Sequence, residues 1–202
     1  MHQGLKIYSE FLIRRDQEEL RDELRNLLSG NPFYRPVMPK TGRPLSVRMT
    51  NLGRLGWISD IKGYRYITTH PLTHRPWPHI PTSLLAIWDK VTQGEAPPDA
   101  CLVNFYSADA KMGLHVDNDE DDKTAPVVSI SLGDTARFRI GGTKRTDPTK
   151  SFKLSSGDVV VLSGDARFIY HGVDRIYPGT STLLSDGGRI NLTLRRVKQP
   201  VP

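Results

Sequence analysis

Apolar residues recur at helical spacing in two places along this chain. Between residues 16 and 28, Leu20, Leu24, Leu27 and Leu28 share one face. Asp16 stands at the capping position with Glu19 three residues on, and Ser29-Gly30-Asn31-Pro32 stops the run, which predicts a helix over 16–28. A second helix is predicted over 82–93, with Leu84, Leu85, Trp88 and Val91 inward and Gly94 ending it. Residues 31–81 between them are irregular and rich in Gly, Pro and aromatics, with short strand-like pieces at 46–50 and 64–67. After Pro98 the period changes. Short β-rich runs at 101–106, 127–132, 136–140, 158–162, 167–170 and 189–195 are separated by Gly, Asp and Pro. That texture predicts a sandwich or barrel rather than βαβ units, and helices before strands predict an α+β, mainly β, domain with helices bracing one side. Residues 197–202 read as a frayed tail.

Length adds one constraint: 202 residues fit a single domain with a real core. The net charge of +6 favours a polyanionic partner, although the basic residues are spread along the chain rather than gathered in one tail. A lone cysteine, Cys101, excludes an internal disulfide, fits a reducing cytoplasm, and reads as a small buried thiol in an apolar run. No apolar stretch is long enough to cross a bilayer and no signal-peptide pattern opens the chain, so a cytoplasmic protein with no membrane partner is expected.

The candidate chemistry starts at Leu114-His115-Val116-Asp117. On extended backbone, residues i and i+2 project from one face, so an imidazole and a carboxylate can reach one metal. A second imidazole would complete a 2-His-1-carboxylate triad with open coordination positions, and His171, between an apolar run and Gly172, is the best-placed candidate. The run 189–195 alternates: Arg189, Asn191, Thr193 and Arg195 face one way, and Ile190, Leu192 and Leu194 the other. A surface strand would show the same pattern, but two arginines flanking neutral hydrogen-bonding groups also suit a dicarboxylate. Asn104 and Tyr106 repeat that logic. Iron with 2-oxoglutarate as co-substrate is the chemistry such a set serves.

The ordered set Asn104-Phe105-Tyr106, His115-Val116-Asp117-Asn118-Asp119-Glu120, Tyr170-His171-Gly172 and Arg189 through Arg195 closely resembles the AlkB family of Fe(II)/2-oxoglutarate-dependent nucleic-acid dealkylases. The resemblance runs from about Asn31 to Arg196. It implies a double-stranded β-helix (jelly-roll) core over 99–197 and a nucleotide-recognition lid over 31–80. It implies Fe(II) on His115, Asp117 and His171, O2 as the oxidant, and 2-oxoglutarate held by Asn104, Tyr106, Arg189, Asn191 and Arg195, with Phe105 and Thr193 in the same site. In the lid, Trp57 would stack on the target base opposite His115, with Tyr64 and Tyr66 on the backbone or base and Met49 among the substrate contacts. Asp119 would meet the exocyclic amine of the base, and Arg145 would stand on the substrate side. The implied function is oxidative demethylation of bases such as 1-methyladenine and 3-methylcytosine in DNA or RNA by a monomeric enzyme. Asn118, where a basic residue stands in the best-known bacterial relative, and Gly113, in place of a hydroxyl residue, depart from the pattern.

Other constellations carry less. His70, His74 and His79 lie among prolines with no cysteine, a poor zinc loop, and Lys40-Thr41-Gly42-Arg43 lacks phosphate-loop spacing. Asp121 and Asp122 read as a solvated acidic loop. A dioxygenase acting on a protein or small metabolite, or a non-catalytic jelly-roll binding module, remain the alternative readings.

Overall fold

Several strands of this chain, among them 100–106, 127–133 and 159–162, are buried on both sides, and the architecture explains why. A computed structural model describes residues 3–198. In chain order it contains β1 (Leu5–Tyr8), α1 (Arg14–Leu27), β2 (Arg48–Gly53), β3 (Gly56–Asp60), β4 (Gly63–Ile67), α2 (Thr82–Thr92), β5 (Ala100–Tyr106) and β6 (Met112–His115). There follow β7 (Val127–Gly133), β8 (Thr135–Ile140), β9 (Lys150–Leu154), β10 (Val159–Leu162), β11 (His171–Tyr177) and β12 (Arg189–Arg195). A large antiparallel sheet has the order β1-β10-β7-β12-β5-β2, and a smaller one the order β6-β11-β8-β9. From β5 to β12 the chain passes back and forth between the two sheets, which is the path of a double-stranded β-helix, or jelly roll.

Two apolar clusters sandwich the large sheet. On its outer face Leu20 and Leu24 of α1 and Leu84, Ile87, Trp88 and Val91 of α2 pack on Leu52, Cys101, Val103, Ile130 and Leu194. On its inner face Met49, Leu102, Val127, Val160 and Leu162 meet Ala136, Phe138, Ile140, Val173 and Ile176 of the small sheet. β10 is therefore apolar at all four positions and β5 nearly so. Cys101 is fully buried, and burial pushes its thiol far up. Among the described residues, no helix is long and apolar enough to cross a membrane.

Several elements depart from the sequence expectation. Helix α1 begins at Arg14, two residues early, and Asp16 does not cap it; Ile13 is the N-cap, without a side-chain bond. Its start is set by tertiary contacts instead: the buried Gln17 side chain donates to Leu12 O (2.8 Å), and Leu12 N donates to Gly157 O. Strands β1, β3 and β9 have no counterpart among the expected runs, and the extended backbone expected at His115 is the end of β6. The expected strand at 167–170 opens in a 3-10 turn over Gly164–Phe168, after which His171 begins β11. Gly172 thus lies inside β11. The tail also differs at its start. Val197 is buried, its N–H donating to Asp99 and its carbonyl accepting from the N–H groups of Asp121 and Asp122. Residues 199–202 of the expected frayed segment lie outside the described residues.

Within the region read as a lid, β2 is an edge strand of the large sheet, paired with β5 from Arg48↔Phe105 to Gly53↔Ala100. What stands apart is the two-stranded hairpin β3–β4, seated on its own small cluster of Tyr34, Ile58 and Trp77. The buried His70 serves that loop. Its Nε2 contacts Pro32 O at 2.8 Å, and its Nδ1 accepts from the N–H groups of Leu72 and Thr73.

Candidate active site

Between the two sheets opens a cavity of about 590 Å³, walled by β5, β6, β11 and β12 and by Trp57 and Tyr64 of the hairpin. His115 ends β6, and His171 pairs with it across the ladder at the start of β11. Asp117 lies beyond the end of β6 rather than on extended strand. It is held there by its own contacts: Arg195 Nη2 donates to Oδ1 at 2.6 Å, and Arg167 Nη1 donates to the backbone carbonyl.

One ligand atom from each of His115, Asp117 and His171 lies within 4.8 Å of the others. His115 Nε2 is 3.8 Å from Asp117 Oδ1, and His171 Nε2 is 3.7 Å from Asp117 Oδ2. Each ring keeps its Nδ1 beside a backbone carbonyl, Gly113 O at 2.9 Å and Ile169 O at 3.1 Å. That contact places the proton on Nδ1 and leaves the Nε2 lone pairs for a shared cation, which is how backbone carbonyls orient ligating imidazoles. Burial, with the neighbouring His115, lowers His171 to about 4, so its ring is neutral at physiological pH. Burial alone would raise Asp117, but Arg195, His171 and His115 outweigh it and hold the carboxyl far below its ordinary range. Two imidazoles and one carboxylate with room on one side fit Fe(II).

The co-substrate side is lined by β12 and β5. Asn191 pairs with Asn104 and Arg189 with Tyr106 across the ladder, so these four side chains share the inner face. Thus the polar stripe of β12 faces the interior cavity, and its apolar stripe faces the helices. Arg189 is buried, and burial pulls it down to about 10, still protonated at neutral pH. Its Nη2 donates to Ser131 Oγ at 2.6 Å, and its Nη1 reaches the carbonyls of Asp134 and Leu154. The remaining donor, Arg189 Nε, has no hydrogen-bond partner among the described residues, and neither do Arg195 Nε and Asn104 Oδ1. Buried guanidinium donors without partners at two depths of one cavity suit a dicarboxylate such as 2-oxoglutarate. Burial also raises the Tyr106 phenol, which keeps its proton to donate.

The hairpin brings Trp57 and Tyr64 over the mouth, stacked on each other at 5.5 Å. Trp57 Nε1 donates to Asp119 Oδ2 at 2.7 Å. Asn51, on β2, fixes the start of this strand by bonding both the N–H and the carbonyl of Trp57. Met49, Arg145 and Thr193 also line the cavity, with Arg145 Nη1 donating to Leu114 O at 2.8 Å.

Two expected site residues are not on the cavity wall. Phe105 points to the opposite face of β5, against Phe33 and under the Arg48 guanidinium. Tyr66 lies behind the wall, its hydroxyl donating to Glu120 Oε1 (2.5 Å) and accepting from Arg195 Nη1 (3.0 Å). The acidic loop likewise divides. Asp121 pairs with Lys198 at the surface, but Asp122 is buried, accepting from Thr124 and the N–H of Ala125 and facing Arg196.

The sequence pattern assigns no role to Ser129, Ser131 and Arg167, and none to Glu120 beyond its place in the His115–Glu120 motif. The two serines sit at alternate positions of β7, a period-two signal that marks one face of the strand as polar. Arg167 gave no such signal, because nothing local tells a buried arginine in a turn from a surface one.

Residues 4–195 match the family model of the 2OG-Fe(II) oxygenase superfamily, the class that the fold and the triad define. The AlkB homolog of Caulobacter vibrioides, an alpha-ketoglutarate-dependent dioxygenase, is 60% identical over 157 residues, covering 78% of this chain and 71% of that protein. AlkB of Escherichia coli is 41% identical over 197 residues, covering 96% and 90%. The solved structure of OsALKBH1 superposes with a TM-score of 0.85 at 33% identity, covering 97% of this chain and 98% of that one. Two more distant relatives are named a DNA N(6)-methyladenine demethylase in Arabidopsis thaliana and a tRNA demethylase in Schizosaccharomyces pombe. The chain belongs to the AlkB family of Fe(II)/2-oxoglutarate-dependent dioxygenases.

Proposed function

We propose that this enzyme demethylates N-alkylated nucleobases, such as 1-methyladenine and 3-methylcytosine, in a nucleic acid, as direct repair. The observation that carries the reading is the pairing of a stacked aromatic lid, Trp57 and Tyr64, with the carboxylate of Asp119 at the mouth of an iron cavity. N-methylation at the Watson–Crick edge makes the ring cationic, and a carboxylate beside an indole face suits a flat cation with an exocyclic amine. His115, Asp117 and His171 hold Fe(II), while Asn104, Tyr106, Arg189, Asn191 and Arg195 hold 2-oxoglutarate. When bound, iron with 2-oxoglutarate and O2 supplies the oxidising equivalent that hydroxylates the N-methyl carbon, with succinate and CO2 as by-products and formaldehyde released from the resulting hemiaminal.

The protein's own groups do the rest. Trp57, fixed by Asn51 and Asp119, presents its ring opposite His115 so that an extruded base is sandwiched with its methyl group toward the metal. Asp119 orients the base through its amine, and Arg145 stands on the substrate side. Extrusion is required because the methyl group lies in the paired edge of a duplex, and a damaged base is easier to unpair. In this reading residues 31–80 supply recognition and 99–197 the chemistry, although β2 serves both. A monomer working in the reducing cytoplasm on DNA or RNA, away from membranes, fits the net charge and the buried lone thiol.

The test is mass spectrometry of 1-methyladenine and 3-methylcytosine oligonucleotides incubated with Fe(II), 2-oxoglutarate and the enzyme. Each lesion is expected to lose about 14 mass units, one CH2, with stoichiometric succinate, and Asp117→Ala to abolish both. Succinate formation that responds to a peptide or metabolite and not to the oligonucleotide would refute the reading.

A further inference from the structure

The outer face of the small sheet carries a group of cations that neither the metal site nor the cavity uses. On β8, Ala136, Phe138 and Ile140 are buried toward the core, so Arg137 and Arg139 point outward. The ladder places Arg137 directly between Arg175 of β11 and Lys153 of β9. Three like charges thus stand side by side across three adjacent strands. Like charges placed opposite one another across a ladder are destabilising, so the row works against the fold. Among the described residues a single carboxylate, Asp174, answers it, 3.6 Å from Arg137 and 3.2 Å from Arg139. Tyr177 lies beneath the row, with Lys153 Nζ 5.2 Å and Arg175 5.3 Å from its ring centre. A surface stripe in which Arg137, Arg139, Lys153 and Arg175 share one carboxylate beside an aromatic ring carries excess positive charge, the chemistry of a phosphate-backbone track.

Its place in the fold connects it to the site. Arg139 pairs with Gly172, the residue after the metal ligand His171, and the Arg137 row follows about 7 Å further along the strand. On the other side, Arg145 reaches the edge strand β6 at Leu114, at the cavity mouth. Cations therefore continue from the mouth onto the back of the sheet that bears His171.

We propose that this face takes the phosphate backbone of the nucleic acid that continues beyond the nucleotide held in the cavity. The proposal rests on the nucleic-acid reading above, and the charge of the row selects the polyphosphate as its occupant. The test is the triple variant Arg137→Gln, Lys153→Gln, Arg175→Gln, compared with the parent on methylated single strands of about five and about twenty nucleotides, with binding followed by anisotropy across a salt series. Loss of three phosphate contacts should reduce the slope of log affinity against log salt for the long strand by about 2, at roughly 0.7 per phosphate in single strands. Demethylation of the short strand should be unchanged, and the melting temperature close to the parent's, because relief of the repulsion offsets loss of the Arg137–Asp174 pair and the two Tyr177 contacts. Arg175→Gln alone should reduce the slope by about 0.7 and serves if the triple variant folds poorly. Long-strand binding with the parent slope in these variants overturns the proposal, including the case in which they instead lose binding to an acidic protein. Failure of the parent enzyme to demethylate the short strand would refute the functional reading, a result separate from any change in salt slope.

Discussion

Glu120 shows how one side chain can tie the lid to the metal site without touching either ligand or substrate. It is fully enclosed, 2.8 Å from Arg167 and 3.3 Å from Arg195, and it accepts from Tyr66 of the hairpin. Arg195 in turn grips Asp117, so strand β4, the acidic loop and a metal ligand share one buried network. Burial would raise the Glu120 carboxyl, but Arg195 leads the groups that outweigh it and hold it below its ordinary value of 4.5. Its stabilising contribution is therefore present above that pH and lost as pH falls through the lower folded value. Glu120→Gln is expected to remove about 3 kcal/mol at pH 7, because a buried ion-pair network loses one member. The gap between parent and variant should narrow below pH 4.5. Urea denaturation at a series of pH values checks both; a gap independent of pH would show that the carboxylate charge is not what matters.

At the scale of elements, the β6–β11 pairing decides whether His115 and His171 meet. At Gly172 the backbone of β6 leaves no room for a side chain on β11. A Cβ there would sit 2.6 Å from Met112 O and 2.9 Å from Gly113 O, so β6 would have to move away. Gly172→Ala is expected to destabilise the protein by about 1–3 kcal/mol through this overpacking and to weaken Fe(II) binding by misplacing His115. The paired control is Gly113→Ala, on the neighbouring strand, where a Cβ meets nothing within 4 Å. Metal titration and thermal melting of both variants test the claim, which fails if the two behave alike.

For the whole molecule, three arginines, Arg167, Arg189 and Arg195, are buried, and the donor Nε of two of them lacks a partner among the described residues. A dicarboxylate and a divalent cation complete that interior, so they should bind the folded state alone. At a ligand concentration about a hundredfold above its dissociation constant, such binding adds about 2.7 kcal/mol. For a chain of this size that raises the melting temperature by roughly 5–10 °C. The expected shift with 2-oxoglutarate and redox-inert Mn(II) can be read by scanning calorimetry, and chelation of the metal should reverse it. In Arg189→Gln the part of the shift due to 2-oxoglutarate should disappear while that due to Mn(II) remains.

What could be read in advance follows from how local each signal is. The alternation of β12, the apolar faces of both helices and the His-X-Asp spacing are short-range patterns, written in consecutive residues and legible without the fold. By themselves they determine that a polar stripe and a metal-ligand pair exist. Only the tertiary structure decides what those features face. Asp117 leaves the strand because Arg167 and Arg195 pull its loop inward, and Arg167 and Phe168 leave extended backbone for a 3-10 turn that buries the same arginine. Phe105, one residue from two site residues, faces the other way because side chains alternate, while Tyr66 is taken up by Glu120 rather than by the cavity. Long-range ion pairs and strand partners are chosen by residues scores of positions away, and no local pattern encodes which of them will meet.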